Sequence, residues 1–357
     1  MPTPSSKFWS NRNVLLTGHT GFKGAWLALW LTHLGARVTG ASLSPNKEPN
    51  LYSLVGGVVE NEIITDIRNI TEMKYIISET RPEIIFHLAA QALVLPSYSD
   101  PLDTVGTNVM GTANLLDCAK NLECVRVIMI TTTDKVYLDN RLDKPYKEND
   151  QLGGRDPYSA SKAAAEILIA GYRDSFFSGK RVGLASARAG NVIGGGDWAV
   201  DRLVPDATRA WSAGETLVIR NPQAVRPWQH VLDALAGYLQ LSEKLYFQPQ
   251  LSGPYNFGPD SRDAATVESV INMGKEIFQN GSCAVTRETD MPYEADSLLL
   301  DSSKALAVLG FSPVWHLSDA IHRTFSWYRE YEQTGNARTL CETDINAYER
   351  ASSGNHE

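Results

Sequence analysis

Short apolar runs recur along the first half of the chain, each closed by a polar or glycine-bearing turn. Val14-Leu15-Leu16-Thr17, Arg37 to Ser42, Glu62–Thr65, Glu83–Leu88, Arg126–Thr131 and Arg181–Ala187 have strand length and strand composition. Between most of them lie longer stretches with apolar residues at helical spacing: Ala25 to Leu34, Ile70–Glu79, Asp103–Lys120 and Ser159–Ser178. Strands that alternate with helices need crossover connections, so the pattern predicts an α/β fold with a parallel sheet. His230–Leu245 and Gly253–Phe257 continue the series as a helix and a strand. In between, residues 190–229 lose the alternation and fill with Gly, Trp, Arg and Pro. Helical signals return at Val267–Phe278 and Asp319–Tyr331. These segments predict a smaller, discontinuous C-terminal lobe, closing over the crevice at the carboxyl ends of the strands. The last ~20 residues are polar and read as a loosely held tail.

The chain has 357 residues, a length that suits two domains. Its 43% apolar and 21% charged residues are an ordinary globular balance. Lys plus Arg is 33 against 41 Asp plus Glu, a net charge of −8. Such a surface suits neither nucleic acid nor an anionic membrane, although a few placed arginines suffice for one anionic small molecule. Cys118, Cys124, Cys283 and Cys341 are scattered, form no C-x-x-C pair and predict reduced thiols without a metal. Met1 to Asn13 has no signal-peptide core, and apolar runs such as Ala25–Leu31 are too short to span a bilayer. The expectation is a cytoplasmic protein.

Gly18, Gly21 and Gly24, in Gly18-His19-Thr20-Gly21-Phe22-Lys23-Gly24, stand between the first strand and the first helix. Glycines there let backbone N–H groups approach a diphosphate at a helix N-terminus, so the turn predicts dinucleotide binding. The acidic residue that usually holds the adenosine ribose is missing: the second strand ends Ala41-Ser42-Leu43-Ser44. Ser42 offers a weaker, uncharged partner. No Arg there claims a 2′-phosphate, so NAD is the expected cofactor, modestly held. Asp66 reads either as an acceptor for the adenine amino group or as a helix N-terminal carboxylate. His19 reads equally as a residue near the diphosphate or an exposed turn residue, and His87 as a satisfied core histidine.

Tyr158 and Lys162 stand at i and i+4, which on a helix is one face. A free Tyr, with a pKa near ~10, is a poor base; a nearby ammonium favours its phenolate. Thr131-Thr132-Thr133 at a strand end places a hydroxyl beside a substrate alcohol.

Together these residues resemble the extended short-chain dehydrogenases/reductases that act on nucleotide sugars. The resemblance covers nearly the whole chain: the glycine turn, His87-Leu88-Ala89-Ala90-Gln91, Asn108 with Gly111-Thr112, Thr133, Tyr158 with Lys162, Arg188-Ala189-Gly190-Asn191-Val192 and Arg226-Pro227-Trp228-Gln229-His230-Val231. It implies an NAD-binding Rossmann domain over 1–189 plus 228–258 and a nucleotide-sugar-binding domain over 190–227 plus 259–357. It adds Phe22, Ile67, Leu88, Ala89, Ala90 and Thr131 to the cofactor set with Tyr158 and Lys162. It makes Asn191 and Arg226 substrate ligands, with Arg226 at the diphosphate, where a guanidinium grips phosphate oxygens in pairs. Gln91 reads as a residue reaching cofactor or sugar, and Arg188 as a substrate ligand or a structural ion-pair partner, its place in the R-x-x-N-V pattern favouring the substrate.

The residues after Thr133 separate reaction types within the resemblance. Small or neutral residues mark 4-epimerases, and an Asp-Glu pair marks 4,6-dehydratases. Here Asp134 matches the acid and Lys135 departs from the usual Glu. That form, with Gly194-Gly195-Gly196-Asp197-Trp198-Ala199, resembles the dehydratase branch whose substrate is CDP-glucose. The implied reaction is a redox-neutral loss of water through a 4-ketone, with Asp134 as acid, Lys135 as the C5 base and NAD as internal hydride carrier. A base Lys must be neutral, so burial or a nearby cation has to depress its pKa; Lys162 is one such cation. A dehydratase for another nucleotide, a 4-epimerase and a non-catalytic nucleotide sensor are the alternatives; a sensor would be expected to have lost Tyr158 or Lys162. The resemblance also implies a homodimer through the Asp103–Lys120 and Tyr158 helices, and deoxysugar synthesis for a bacterial surface polysaccharide.

Overall fold

The computed structural model describes residues 3–45, 48–139, 144–279, 281–285 and 298–354. Seven parallel strands form the central sheet: β1 Asn13–Thr17, β2 Arg37–Ser42, β3 Asn61–Ile64, β4 Ile84–His87, β5 Val127–Thr131, β6 Gly183–Ala189 and β7 Gly253–Phe257. Their order is β7-β6-β5-β4-β1-β2-β3. The chain leaves β1 in one direction for β2 and β3, then returns to add β4 on the other side. The crevice at that reversal, between the ends of β1 and β4, is where such sheets take ligands. β1, β4, β5 and β6 are buried almost throughout, as strands covered on both faces must be.

Helices cover both faces: α1 Phe22–His33, α2 Ile70–Thr80, α3 Pro101–Val105, α4 Thr112–Ala119, α5 Pro157–Tyr172 and α6 Val231–Phe247. A π turn at Gly106–Gly111 joins α3 to α4, so the expected Asp103–Lys120 helix is one path with a widened middle. The widening lets the Asn108 Nδ2 bond the Ser161 hydroxyl on α5 at 2.9 Å. Beyond β6 the chain makes three small sheets: Val192–Ile193 with Gln229–His230, Val225–Arg226 with Ala265–Thr266, and Thr216–Ile219 with Ser282–Val285. Helices Val267–Phe278 and Leu317–Thr334 pack beside them.

The C-terminal end corrects an expectation. Ala337–Ser353 is a helix, not a loose tail, and it buries Ala337, Cys341, Ile345 and Tyr348. Four apolar residues at helical spacing inside a polar stretch carry it. It docks back onto the first half of the chain: the Trp30 Nε1 donates to Glu349 at 2.9 Å and Arg338 to the Gly56 carbonyl at 3.0 Å. One continuous core therefore joins Trp26 and Trp30 of α1, Leu235 of α6, Phe257 of β7 and Phe325, Trp327 and Tyr348. Trp198 belongs to this packing, edge-on to Trp327, Tyr328 and Tyr331.

Candidate active site

The glycine turn follows β1 directly. Gly18 has φ +77°, and a Cβ there would stand 2.6 Å from the Ala89 nitrogen at the end of β4. A Cβ on Gly24 would meet the Gly18 carbonyl at 2.0 Å. Gly21 is the N-cap of α1, and no side chain caps it. Its added Cβ would meet only the Gly18 carbonyl, at 3.4 Å. The first turn of α1 thus presents uncapped N–H groups from an exposed glycine, the cradle a diphosphate fits.

Around this cradle the expected cofactor residues divide. Phe22 is half-buried beside Gly194. Leu88, Ala89 and Ala90 follow β4 half-buried, with the Leu88 nitrogen on the Thr17 carbonyl. Ser42 is buried, and its hydroxyl shares a 2.8 Å bond with Thr20. His19 is not an exposed turn residue. Its ring is fully buried over Gly40 of β2, edge-on to Tyr52 and 3.3 Å from Glu62. Asp66 holds Arg68 through both oxygens, while Asn69 caps α2 instead; Arg68 also pulls the Asp66 pKa down. Ile67 packs its side chain against Gly111, and its carbonyl accepts from Asn114.

The acid–base group lies where β5 ends. Thr133 caps a single 3-10 turn, Asp134–Val136, which turns Asp134 inward. The Asp134 Oδ1 accepts from the Thr133 hydroxyl at 2.9 Å and from the Lys135 ammonium at 3.2 Å. Its Oδ2 is buried and has no hydrogen-bond partner among the described residues. Gly190 lies beside it, and a Cβ there would come within 3.4 Å of that oxygen. Tyr158 and Lys162 enter from α5, started by Asp156 as N-cap and Pro157. Burial pushes the Tyr158 phenol up to about 12, against the Thr133 hydroxyl and the positive charge of Arg202, which pull it down. The sequence assigned that pull to Lys162. In the structure the Lys162 ammonium donates to the Thr131 carbonyl at 3.2 Å, and burial lowers its own pKa to about 8.

Two expected substrate ligands have other work. Arg188 is buried, and its guanidinium bonds Glu166 at 2.7 Å, the Tyr137 hydroxyl at 2.9 Å and the Glu148 carbonyl at 3.0 Å. Glu166 in turn accepts from Thr132 and Ser186. The pair braces the floor of the site. Gln91 bonds Leu93 and Thr104 through its side-chain amide and Asn108 through its backbone nitrogen, so it braces its own loop. Asn191 is half-buried, its carbonyl taken by the Gln229 nitrogen. Arg226 is buried, with Nη1 on the Val225 carbonyl.

Residues not foreseen complete the site. Arg202, held by Asp197 at 2.9 Å, sets its charge against Tyr158. Burial, then the charge of Arg202, lowers the pKa of Lys23 in the glycine turn to about 7. Its signal was in the sequence: a cation in the first turn of a helix opposes the helix dipole and calls for a reason.

A dinucleotide cradle at the switch point, with a Thr, Tyr and Lys at the ends of β5 and α5, defines an oxidoreductase-type Rossmann enzyme of the extended short-chain class. A family model described as GDP-mannose 4,6 dehydratase matches residues 15–324, and the chain belongs to that family. A CDP-glucose 4,6-dehydratase of Salmonella typhimurium is 42% identical over 332 residues, covering 91% of this chain and 92% of that protein. A dTDP-glucose 4,6-dehydratase of Haemophilus influenzae is 25% identical over 343 residues, 88% of this chain and 97% of its own. Among solved structures, a UDP-glucose 4-epimerase of Stenotrophomonas maltophila, described with bound NAD, superposes with a TM-score of 0.80. It is 21% identical and covers 90% of this chain and 99% of its own, and it shows the fold.

Proposed function

We propose that the protein removes water from CDP-glucose to give CDP-4-dehydro-6-deoxy-D-glucose, with NAD as a bound hydride carrier. The observation that carries this reading is the Thr133-Asp134-Lys135 turn beside Tyr158, in a chain 42% identical over nearly its full length to a dehydratase of that name. Gly18, Gly21 and Gly24 leave the room a dinucleotide diphosphate needs, and no carboxylate at Ser42 supports its ribose.

When bound, NAD supplies the hydride acceptor for C4 and later the donor for C6. Tyr158 takes the C4 hydroxyl proton, and Thr133 orients that hydroxyl. The 4-ketone acidifies the C5 proton, which Lys135 removes while Asp134 protonates the departing 6-hydroxyl. The 3.2 Å contact between Lys135 and Asp134 serves this step. One proton passed from the ammonium to the carboxylate turns the ion pair into a neutral amine and a neutral acid, the two forms elimination requires. Lys135 returns its proton to C5, and the proton Tyr158 took from the C4 hydroxyl replaces the one Asp134 gave to the departing hydroxyl, so the net change is loss of one water. A 4-epimerase has no use for such a pair.

Arg226 and Asn191 are the substrate ligands in this reading, with 190–227 plus 259–357 as the sugar-nucleotide lobe and 1–189 plus 228–258 as the NAD domain. Exposed Leu102 and Val105 of α3, Met110 of the π turn and Ile167 of α5 support a homodimer through these elements. Among the described residues no helix is long and apolar enough to cross a membrane, in keeping with action in the cytoplasm.

The test is incubation of purified protein with NAD and CDP-glucose, or the dTDP-, UDP- or GDP-sugar, followed by alkali. The 4-keto-6-deoxy product gives an ultraviolet band. A band with CDP-glucose is expected. A band only with another sugar overturns the substrate, and no band with any overturns the dehydratase.

A further inference from the structure

The turn that carries Asp134 and Lys135 is gripped mainly from its two ends. Neither Thr133, Asp134 nor Lys135 is bonded backbone to backbone to another element among the described residues. Before the turn, the Thr132 nitrogen donates to the Ala187 carbonyl of β6 at 2.9 Å and the Thr132 hydroxyl to Glu166 of α5 at 2.5 Å. After it, the Val136 carbonyl accepts from the Gly153 nitrogen at 2.8 Å, and Tyr137 ends the turn. The Tyr137 hydroxyl donates to the Asn256 Oδ1 of β7 at 2.6 Å and accepts from Arg188 of β6 at 2.9 Å. Its ring stacks on Tyr146, with centroids 4.9 Å apart. The same Arg188 guanidinium holds Glu166 at 2.7 Å. The two grips are therefore one network, running Thr132, Glu166, Arg188, Tyr137 and Asn256 under the turn. Arg188, Glu166, Tyr137 and Asn256 are all 4% exposed or less. Arg188, at 2%, presents almost nothing to the crevice.

We propose that Tyr137 and Arg188 are positioning residues for the elimination step, holding the far end of the turn so that Asp134 and Lys135 meet the sugar together. The proposal rests on the dehydratase reading above and goes further: it ties one half of the reaction to a network that touches no reacting atom. The two halves draw on different supports. Oxidation at C4 uses Tyr158 and Lys162 from α5 and Thr133 at the near end of the turn, beside the Thr132 grip. Loss of water uses Asp134 and Lys135, which lie towards the Tyr137 grip. A misplacement of about 1 Å in a catalytic group costs up to about 10²-fold in rate. Loosening the far end therefore slows elimination and spares hydride transfer.

Two variants loosen it by different bonds. Tyr137→Phe keeps the ring on Tyr146 and removes both hydroxyl bonds. Arg188→Lys keeps a charge opposite Glu166 and gives up the planar fork that also reaches Tyr137. Urea denaturation without substrate checks that each is folded, and if one is not, the other decides. Wild type and variants, loaded with NAD, are mixed with CDP-glucose. Reduced nicotinamide is followed by its near-ultraviolet absorbance, and the 4-keto-6-deoxy product is read after alkali. Both variants are expected to form product about 10- to 10²-fold more slowly, with no rise in KM for CDP-glucose. Both are expected to build up reduced nicotinamide at the wild-type rate, because oxidation outruns elimination. Thr132→Val, at the near end, is expected to slow both steps. Equal slowing of both steps by Tyr137→Phe, or no slowing of either, overturns the proposal alone. A raised KM with unchanged kcat in Arg188→Lys returns Arg188 to the substrate and overturns its positioning role. No product from wild type with any of the four sugars overturns the dehydratase reading and this proposal with it.

Discussion

Lys135 is where the chain departs most sharply from the family pattern, and its side chain rests on its neighbour Asp134 at 3.2 Å. That contact makes the base assignment testable one residue at a time. Lys135→Met keeps the length of the side chain and removes the amine. Hydride transfer at C4 is expected to survive and solvent exchange at C5 to fall by about 10²-fold or more, the usual loss for a positioned acid or base. Undiminished exchange assigns the base elsewhere. At this scale the sequence told residue types well and partnerships poorly. Tyr158 and Lys162 were legible because their spacing on one helix is local. Arg188 and Glu166 were not, since a strand and a helix must assemble before the guanidinium finds its carboxylate.

Elements were read more accurately than their edges. The seven sheet strands follow from short apolar runs closed by turns, and the helices between them from apolar residues at a period of 3.6. The π turn at Gly106–Gly111 has no such signature, because it adds one residue to a helix without changing its composition. The helix Ala337–Ser353 was missed for a related reason: its apolar stripe is narrow and the rest of its surface polar. The glycine turn was fully legible, yet the three glycines are not equivalent. A Cβ on Gly24 meets backbone at 2.0 Å, whereas one on Gly21 meets it at 3.4 Å. Gly24→Ala must therefore open the turn and is expected to cost about 1–3 kcal/mol, the usual range for overpacking. Gly21→Ala is expected to leave the fold intact while crowding the cradle and weakening dinucleotide binding. Denaturant melts and NAD titration of both variants check the split; equal stability loss in the two would refute it.

Across the whole molecule, one buried acid ties the C-terminal segments to α6. Asp233, in the first turn of α6, accepts from the Val314 nitrogen at 2.7 Å and the Tyr348 hydroxyl at 2.8 Å. Its second oxygen is buried without a hydrogen-bond partner among the described residues. Burial raises its pKa from 3.8 to about 7, against those donors. The folded protein thus holds a proton on Asp233 that the unfolded chain releases, and stability from this group is lost as pH rises from about 4 to about 7. His87 and His230 act in the opposite sense. Burial depresses both to about 3, so their contribution is lost as pH falls below 6.5. The measured profile sums these with the other shifted groups, Asp344 and Lys162 among them, and the difference between wild type and Asp233→Asn isolates the Asp233 part. Asn keeps the acceptor for Val314 and Tyr348 and does not titrate. Its stability relative to wild type is expected to improve by up to about 1.4 kcal/mol per pH unit between pH 4 and 7 and then level off. Urea denaturation of both proteins at pH 5, 6, 7 and 8 measures that difference. A gap that stays constant across the series would mean Asp233 is ionised in the folded protein, with Val314 and Tyr348 sufficient to hold its charge.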